Sequence, residues 1–216
     1  LSPKAKSRAR RGGRPSVEEA EKLPDRILDA ATALFLTQGY GATSIEAVAG
    51  RAKIGKRTLY SRFHDKGDLF GAVVHRLIAR MRPAGAERLF LDGTVEEILV
   101  RLADAILRAA LTPEALALFR MTVAEGTRFP ELAATLDREG ARREAIQGIG
   151  HFLESQVANG SLRPLADPAF AAEEFLQLVV SVPQRRALGL GTPLSEPELH
   201  AWARNAVKLF LEGCGR

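Results

Sequence analysis

At 216 residues, 46% apolar and 26% charged, the chain is long enough for one sizeable domain or two small ones around a substantial core. Its formal charge of +5 is uneven: residues 1–16 and 51–66 each hold six Lys or Arg, with Asp65 the single acid in both, which leaves 19 basic against 25 acidic residues elsewhere. The one cysteine, Cys214, excludes an intrachain disulfide framework and a cysteine zinc site and fits a reducing cytoplasm, and no apolar run approaches the roughly 18–20 residues of a membrane span.

In chain order, residues 1–22 open as a basic arm with few large apolar side chains and are expected to be disordered. No apolar stretch follows the basic start, so it does not read as a secretory signal. Arg10, Arg11 and Arg14 suit contact with a polyanion; a solvated tail is the plain alternative. Helical spacing then begins at Ile27, Leu28, Ala31, Leu34 and Phe35, and Gly39 ends that helix. Thr43 or Ser44 caps a short second helix with Ile45, Val48, Ala49 and Ala52 on one side. After a turn at residues 53–55 comes a third, carrying Lys56, Arg57, Thr58, Tyr60, Ser61 and Arg62 around only Leu59 and Phe63. A short helix with that face cannot be mainly core. Its chemistry suits the major groove of DNA, and two basic blocks flanking it are the footprint of a polyanion-binding module. Asp65 then caps a fourth helix bearing Leu69, Phe70, Val73, Leu77 and Met81, which Pro83 should kink or end.

Beyond Gly93 the helices lengthen. Residues 94–111 place Val95, Ile98, Leu99, Leu102 and Ile106 on one face, and Pro113 opens a helix to Glu125. Pro130 opens another to about Ala158, Pro168 a fourth that is apolar on nearly all sides, and Ser195 the last. The expectation is an all-α protein of about nine helices. The helix from Pro168 should be buried on both sides, at the centre of the core or against a second copy of the chain. A homodimer is favoured because one helix-turn-helix reads few base pairs and a twofold pair reads two half-sites. Its expected interface is Phe175, Val179, Val182, Trp202, Ala206 and Phe210. The four histidines lie in no metal-ligand spacing, no phosphate-loop or nucleophile-elbow motif is present, and Glu173 and Glu174 diverge on a helix. Neither a metal, a cofactor nor an enzymatic site is therefore expected.

The run FLTQGYGATSIEAVAGRAKIGKRTLYSRFHDKGDLF resembles the tetracycline-repressor (TetR) family of one-component regulators, and FRMTVAEGTRFPELAATL with ADPAFAAEEFLQLVV resembles its AefR-like C-terminal domains. The resemblance implies a helix-turn-helix domain at residues 23–70, an effector-binding and dimerisation domain at residues 71–216, and a small-molecule effector. It also implies an operator of double-stranded DNA, probed by Lys56 and Arg57 at base edges and by Thr43, Ser44, Gly55, Thr58, Tyr60, Ser61 and Lys66 around phosphates. His64 either touches phosphate or simply ends the helix. The chain departs from the family pattern at Lys53 and Arg57, where small residues are common, and at Gly55, where Ser or Thr is usual. Arg57 is positioned to read a guanine bidentately. Leu102, Ile106, Phe119, Val123, Phe152 and Phe175 are the candidate pocket lining for a hydrophobic or amphipathic ligand, with ordinary core as the alternative. Arg120 beside them either orients an anionic group or forms a structural salt bridge.

Overall fold

The computed structural model describes residues 21–82, 89–139 and 141–214; Arg10, Arg11 and Arg14 lie outside them. Among the described residues there are helices and no strands. In order they are α1 (Leu23–Gln38), α2 (Ile45–Arg51), α3 (Lys56–Tyr60), α4 (Lys66–Met81) and α5 (Val95–Ala110), then α6 (Pro113–Glu125), α7 (Pro130–Glu139), α8 (Ala141–Ala158), α9 (Pro168–Ala187) and α10 (Glu196–Cys214). α7 and α8 cover the stretch expected to be helical over residues 130–158, on either side of Gly140, which lies outside the described residues.

Local chemistry sets most of the starts. Ser44, Asp65, Thr94, Thr112 and Asp167 each accept a backbone N–H from three residues ahead, and Thr94 with Glu97 completes a capping box. The backbone N–H and the hydroxyl of Thr94 both donate to the exposed Glu97 carboxyl and hold it below its usual range. Pro113 and Pro168 sit in first turns, where a missing N–H costs nothing.

Two cores result. The first joins α1 to α4 and takes in Leu118 and Met121 of α6 and Leu132 of α7. Its centre is an aromatic cluster in which the Phe35, Tyr40 and Phe70 rings lie 5.4–5.6 Å apart, stacked or edge-on. The second core joins α5, α8, α9 and α10 around Leu99, Leu153, Phe175 and Val207.

α9 departs from expectation. Ala172, Phe175, Leu176, Val179 and Pro183 are buried, while Glu173, Glu174, Gln177 and Arg185 are exposed, so only one side is covered within the chain. Four of the residues expected at a dimer interface, Phe175, Val179, Ala206 and Phe210, are 0–8% exposed and belong to the protomer's own core. They face inward because α5 and α10 pack on that side of α9. Val182 and Trp202 keep part of their surface. Trp202 has a further task. Pro183, inside α9, lacks the N–H that would bond Val179 O, and the Trp202 indole N–H donates to that carbonyl instead, at 2.9 Å.

Candidate nucleic-acid interface

The reading helix α3 has five residues, too few for a helix to be stable alone. Its one buried side chain is Leu59, at 0% exposure. Phe63, just past its end, is half-buried against the first core. Lys56, Arg57, Thr58, Tyr60, Ser61 and Arg62 are exposed together on the other side, with Tyr60 at 49%. The Arg57 guanidinium is exposed and has no hydrogen-bond or ion-pair partner among the described residues, so its five donors are available. Lys56 pairs at 3.1 Å with Glu46 of α2, whose carboxyl is held below its usual range by its own backbone N–H and by that lysine. Ser61 donates to Thr58 O at 2.9 Å, closing the helix.

α2 and its flanks are set more tightly. Ser44 is exposed; its Oγ accepts from Ala47 N at 3.1 Å, and its hydroxyl hydrogen-bonds the Glu46 carboxyl. Arg26 of α1 donates at 2.6 Å to Ala52 O, at the far end of α2. The turn between α2 and α3 runs through Lys53, whose φ of 56° is the left-handed region. Gly55 occupies the α3 cap position with extended backbone and no side-chain bond.

Two expected DNA contacts, Thr43 and Lys66, take other places, while the His64 side chain stays exposed. Thr43 is 2% exposed and its hydroxyl donates at 2.7 Å to Gly39 O; it closes the α1–α2 turn, because that turn folds it under the helix start. Lys66 is half-buried and its Nζ donates at 3.0 Å to Tyr40 O while lying 4.3 Å from the Tyr40 ring centroid, so its charge is turned inward by a carbonyl and an aromatic face. His64 contributes its backbone N–H to Asp68 Oδ2 at 3.1 Å, in the cap of α4, and its side chain is exposed.

The expected pocket lining is also redistributed. Leu102, Phe152 and Phe175 are buried in the second core, with Ile106 packed against it. Phe119 and Val123 are 42% and 68% exposed, and Arg120 is exposed beside them, because α6 turns Leu118 and Met121 inward instead. An open cleft of about 460 Å³ lies elsewhere, between α1, α4, α5 and α6, where Leu77, Met81, Ala105 and Ala109 sit among Arg80, Arg82 and Arg108.

Residues 27–73 match the family described as bacterial regulatory proteins of the tetR family, and residues 97–214, more than half the chain, match the AefR-like transcriptional repressor C-terminal domain. The chain belongs to the TetR family. It is a helix-turn-helix transcriptional regulator. Among TetR relatives, the repressor ComR of Escherichia coli strain K12 is 30% identical over 172 residues, covering 78% of this chain and 79% of ComR. The regulator UidR of the same strain is 27% identical over 168 residues, covering 76% and 81%. A TetR-family regulator from Mesorhizobium loti superposes with a TM-score of 0.76 at 28% identity, covering 91% of this chain and 98% of that one. The flavonoid-responsive regulator FrrA gives 0.73 at 30% identity, with the same coverage.

The family's small residue at position 53 now has a physical reason. A left-handed side chain costs about 1–2 kcal/mol, partly offset by the roughly 0.5–1 kcal/mol that glycine loses in freedom on folding. Lys53→Gly is therefore expected to stabilise the protein by up to about 1 kcal/mol, a rise of about 2–4 °C in thermal melting for a chain of this size. An unchanged or lower Tm would mean that the lysine is held there by an interaction its exposed position does not show.

Sequence reasoning passed over Glu125 and Phe129, which reach back to the α1–α2 turn from the end of α6 and the residue before α7. Both stand in the run AEGTRFPEL, but their partners lie some 85 residues away, so no local pattern reveals the contact.

Proposed function

We infer that the protein is a repressor that binds a palindromic operator as a homodimer and leaves it when a small amphipathic ligand occupies the C-terminal part of the chain. The observation that carries the DNA reading is α3: one buried anchor, Leu59, beneath a contiguous exposed face of Lys56, Arg57, Thr58 and Tyr60. Residues 23–70 are the reading unit, and residues 71–216 carry effector binding and dimerisation. Ser44, at the exposed start of α2, adds a phosphate contact, and the basic arm with Arg10, Arg11 and Arg14 adds more.

Repression is supported by the likeness to the ComR repressor, and ligand response by the likeness to flavonoid-responsive FrrA. The cleft of about 460 Å³ has a suitable size for a small molecule, and Arg108 among its aliphatic walls, beside Arg80 and Arg82 that are ion-paired to Asp29 and Glu144, suits a ligand with an apolar body and an anionic group. The ligand acts only through its unequal affinity for the binding and non-binding conformers. The two copies meet through the outward sides of α9 and α10, where Val182, Trp202 and the 59%-exposed Leu209 remain uncovered in the single chain.

The test is selection of binding sites from random duplex DNA, followed by titration over a salt series and sedimentation of the complex. A palindrome bound by two chains, with log Kd rising by about 0.9 per phosphate contact for each tenfold increase in salt, supports the proposal. Salt-sensitive binding with no enriched sequence would reduce the basic end to a general polyanion surface.

A further inference from the structure

We propose that Glu125 is a positioning residue for operator binding: a carboxylate clamp through which the C-terminal part of the chain holds the turn that opens the helix-turn-helix. The inference rests on the operator-binding reading above.

The geometry is specific. Both carboxylate oxygens of Glu125 accept backbone N–H groups of one turn, Oε1 from Tyr40 at 3.1 Å and Oε2 from Gly41 at 2.6 Å. Those two groups are otherwise loop amides without helical partners, so the bidentate contact satisfies donors that the turn cannot pair by itself. On the other side, Tyr40 O accepts from Lys66 Nζ at 3.0 Å and from Thr43 N at 3.2 Å. The turn is thus gripped from two directions, by α6 of the C-terminal part and by α4 of the reading part.

Side chains close the grip. The Phe129 ring meets the Tyr40 ring edge-on at 5.2 Å, and Lys66 Nζ lies 5.5 Å from the Phe129 centroid. Burial, with the Glu131 carboxylate near its hydroxyl, pushes the Tyr40 phenol up to about 12. Neither flanking glycine has room for a side chain. A Cβ on Gly39 would overlap the Glu125 carboxylate, and one on Gly41 would stand 2.9 Å from the Phe129 ring; Gly39 also has φ +88°.

Glu125 is an unfavourable residue for its own helix. It is the last residue of α6, where the helix dipole disfavours negative charge, and no basic residue occupies that last turn. What compensates it is the pair of amides from the reading unit. α6 also reaches the other way: Thr112, its cap, and Glu114, in its first turn, line the arginine-edged cleft. A single rigid helix therefore joins the cleft to the turn that ends at Ser44, the cap of α2. Shifting α6 moves the clamp, and the clamp sets the start of α2 and, through the turn at Lys53, the angle of α3.

The test compares full-length wild type with Glu125→Gln and Gly41→Ala, using the selected operator. A glutamine keeps one acceptor oxygen and turns its amide N–H toward the second backbone donor. Amide exchange at Tyr40 and Gly41 should accelerate. Operator affinity should fall about tenfold, the weight of one hydrogen bond to a charged group, with the salt slope unchanged because no phosphate contact is removed. Gly41→Ala should weaken binding similarly by pressing the turn off Phe129, and the double variant should be little worse than either alone. A purely structural role would lower Tm yet leave operator affinity, measured well below the melt, within roughly twofold of wild type; that result, or tighter binding, overturns the clamp. If wild type itself selects no operator, it is the regulator reading that fails. If wild type selects one and Glu125→Gln binds it equally, the clamp alone fails.

Discussion

Replacing Leu59 by alanine should cost about 2–5 kcal/mol of folding stability and remove sequence-specific DNA binding with it. Leu59 is the only buried side chain of the five-residue α3 and is 0% exposed. A helix that short has no stability of its own, so its place on the domain depends on this anchor and on the half-buried Phe63 beyond it. Against the 5–15 kcal/mol typical of a whole domain, the expected loss is large. Chemical denaturation followed by circular dichroism reads it directly. A change below about 1 kcal/mol would show that α3 is held chiefly by its flanking turns and not by packing.

Arg57→Ala should do the reverse, leaving the fold almost untouched while changing what is read. The side chain is exposed and has no partner among the described residues, so stability should stay within about 0.5 kcal/mol of wild type. If Arg57 forks onto the O6 and N7 edge of a guanine, its loss should relax preference at one position of each half-site by about 1–3 kcal/mol. Comparing binding-site selections for the two proteins gives the answer. A uniform loss across all sequences, with the salt slope reduced by about one per contact, would place Arg57 on a phosphate instead. Lys56 is the weaker candidate for base reading, since it must first leave Glu46 at 3.1 Å.

The N-terminal helices were legible because their signals are local. Ser44 and Asp65 are caps that accept their own third amide, and Ile27, Ala31, Leu34 and Phe35 recur at the spacing of one buried face. The exposed face of α3 was legible for the same reason: a run of polar and basic residues interrupted once by Leu59 admits one orientation. Legibility failed where a helix is apolar on several sides. In α6, the segment ALALFRMTV offers two candidate faces, and the choice of Leu118 and Met121 over Phe119 and Val123 is made by the first core, to which they belong. In α9 the same ambiguity put core residues at an interface, since periodicity marks what is apolar and not whether the cover comes from the same chain.

Lys66 failed for a different reason. A lysine beside a helix start in a basic segment reads as a phosphate contact, and only the tertiary placement of Tyr40 O and two aromatic rings turns it inward. Residues whose roles depend on partners across the chain, such as Glu125 at a separation of 85 positions, leave no periodic trace.

The hydrogen bond from Trp202 to Val179 O also constrains how this chain can evolve. As long as Pro183 withholds its N–H, removing the indole strands a helix carbonyl, at a cost of about 1–3 kcal/mol. Once position 183 regains an amide hydrogen, Val179 O has a partner within α9 and position 202 becomes free to drift. The two sites are therefore inherited as a pair with a preferred order of change, the proline before the tryptophan. Descendants that retain Pro183 should keep a side-chain N–H donor at position 202, while those that have lost it should vary there widely.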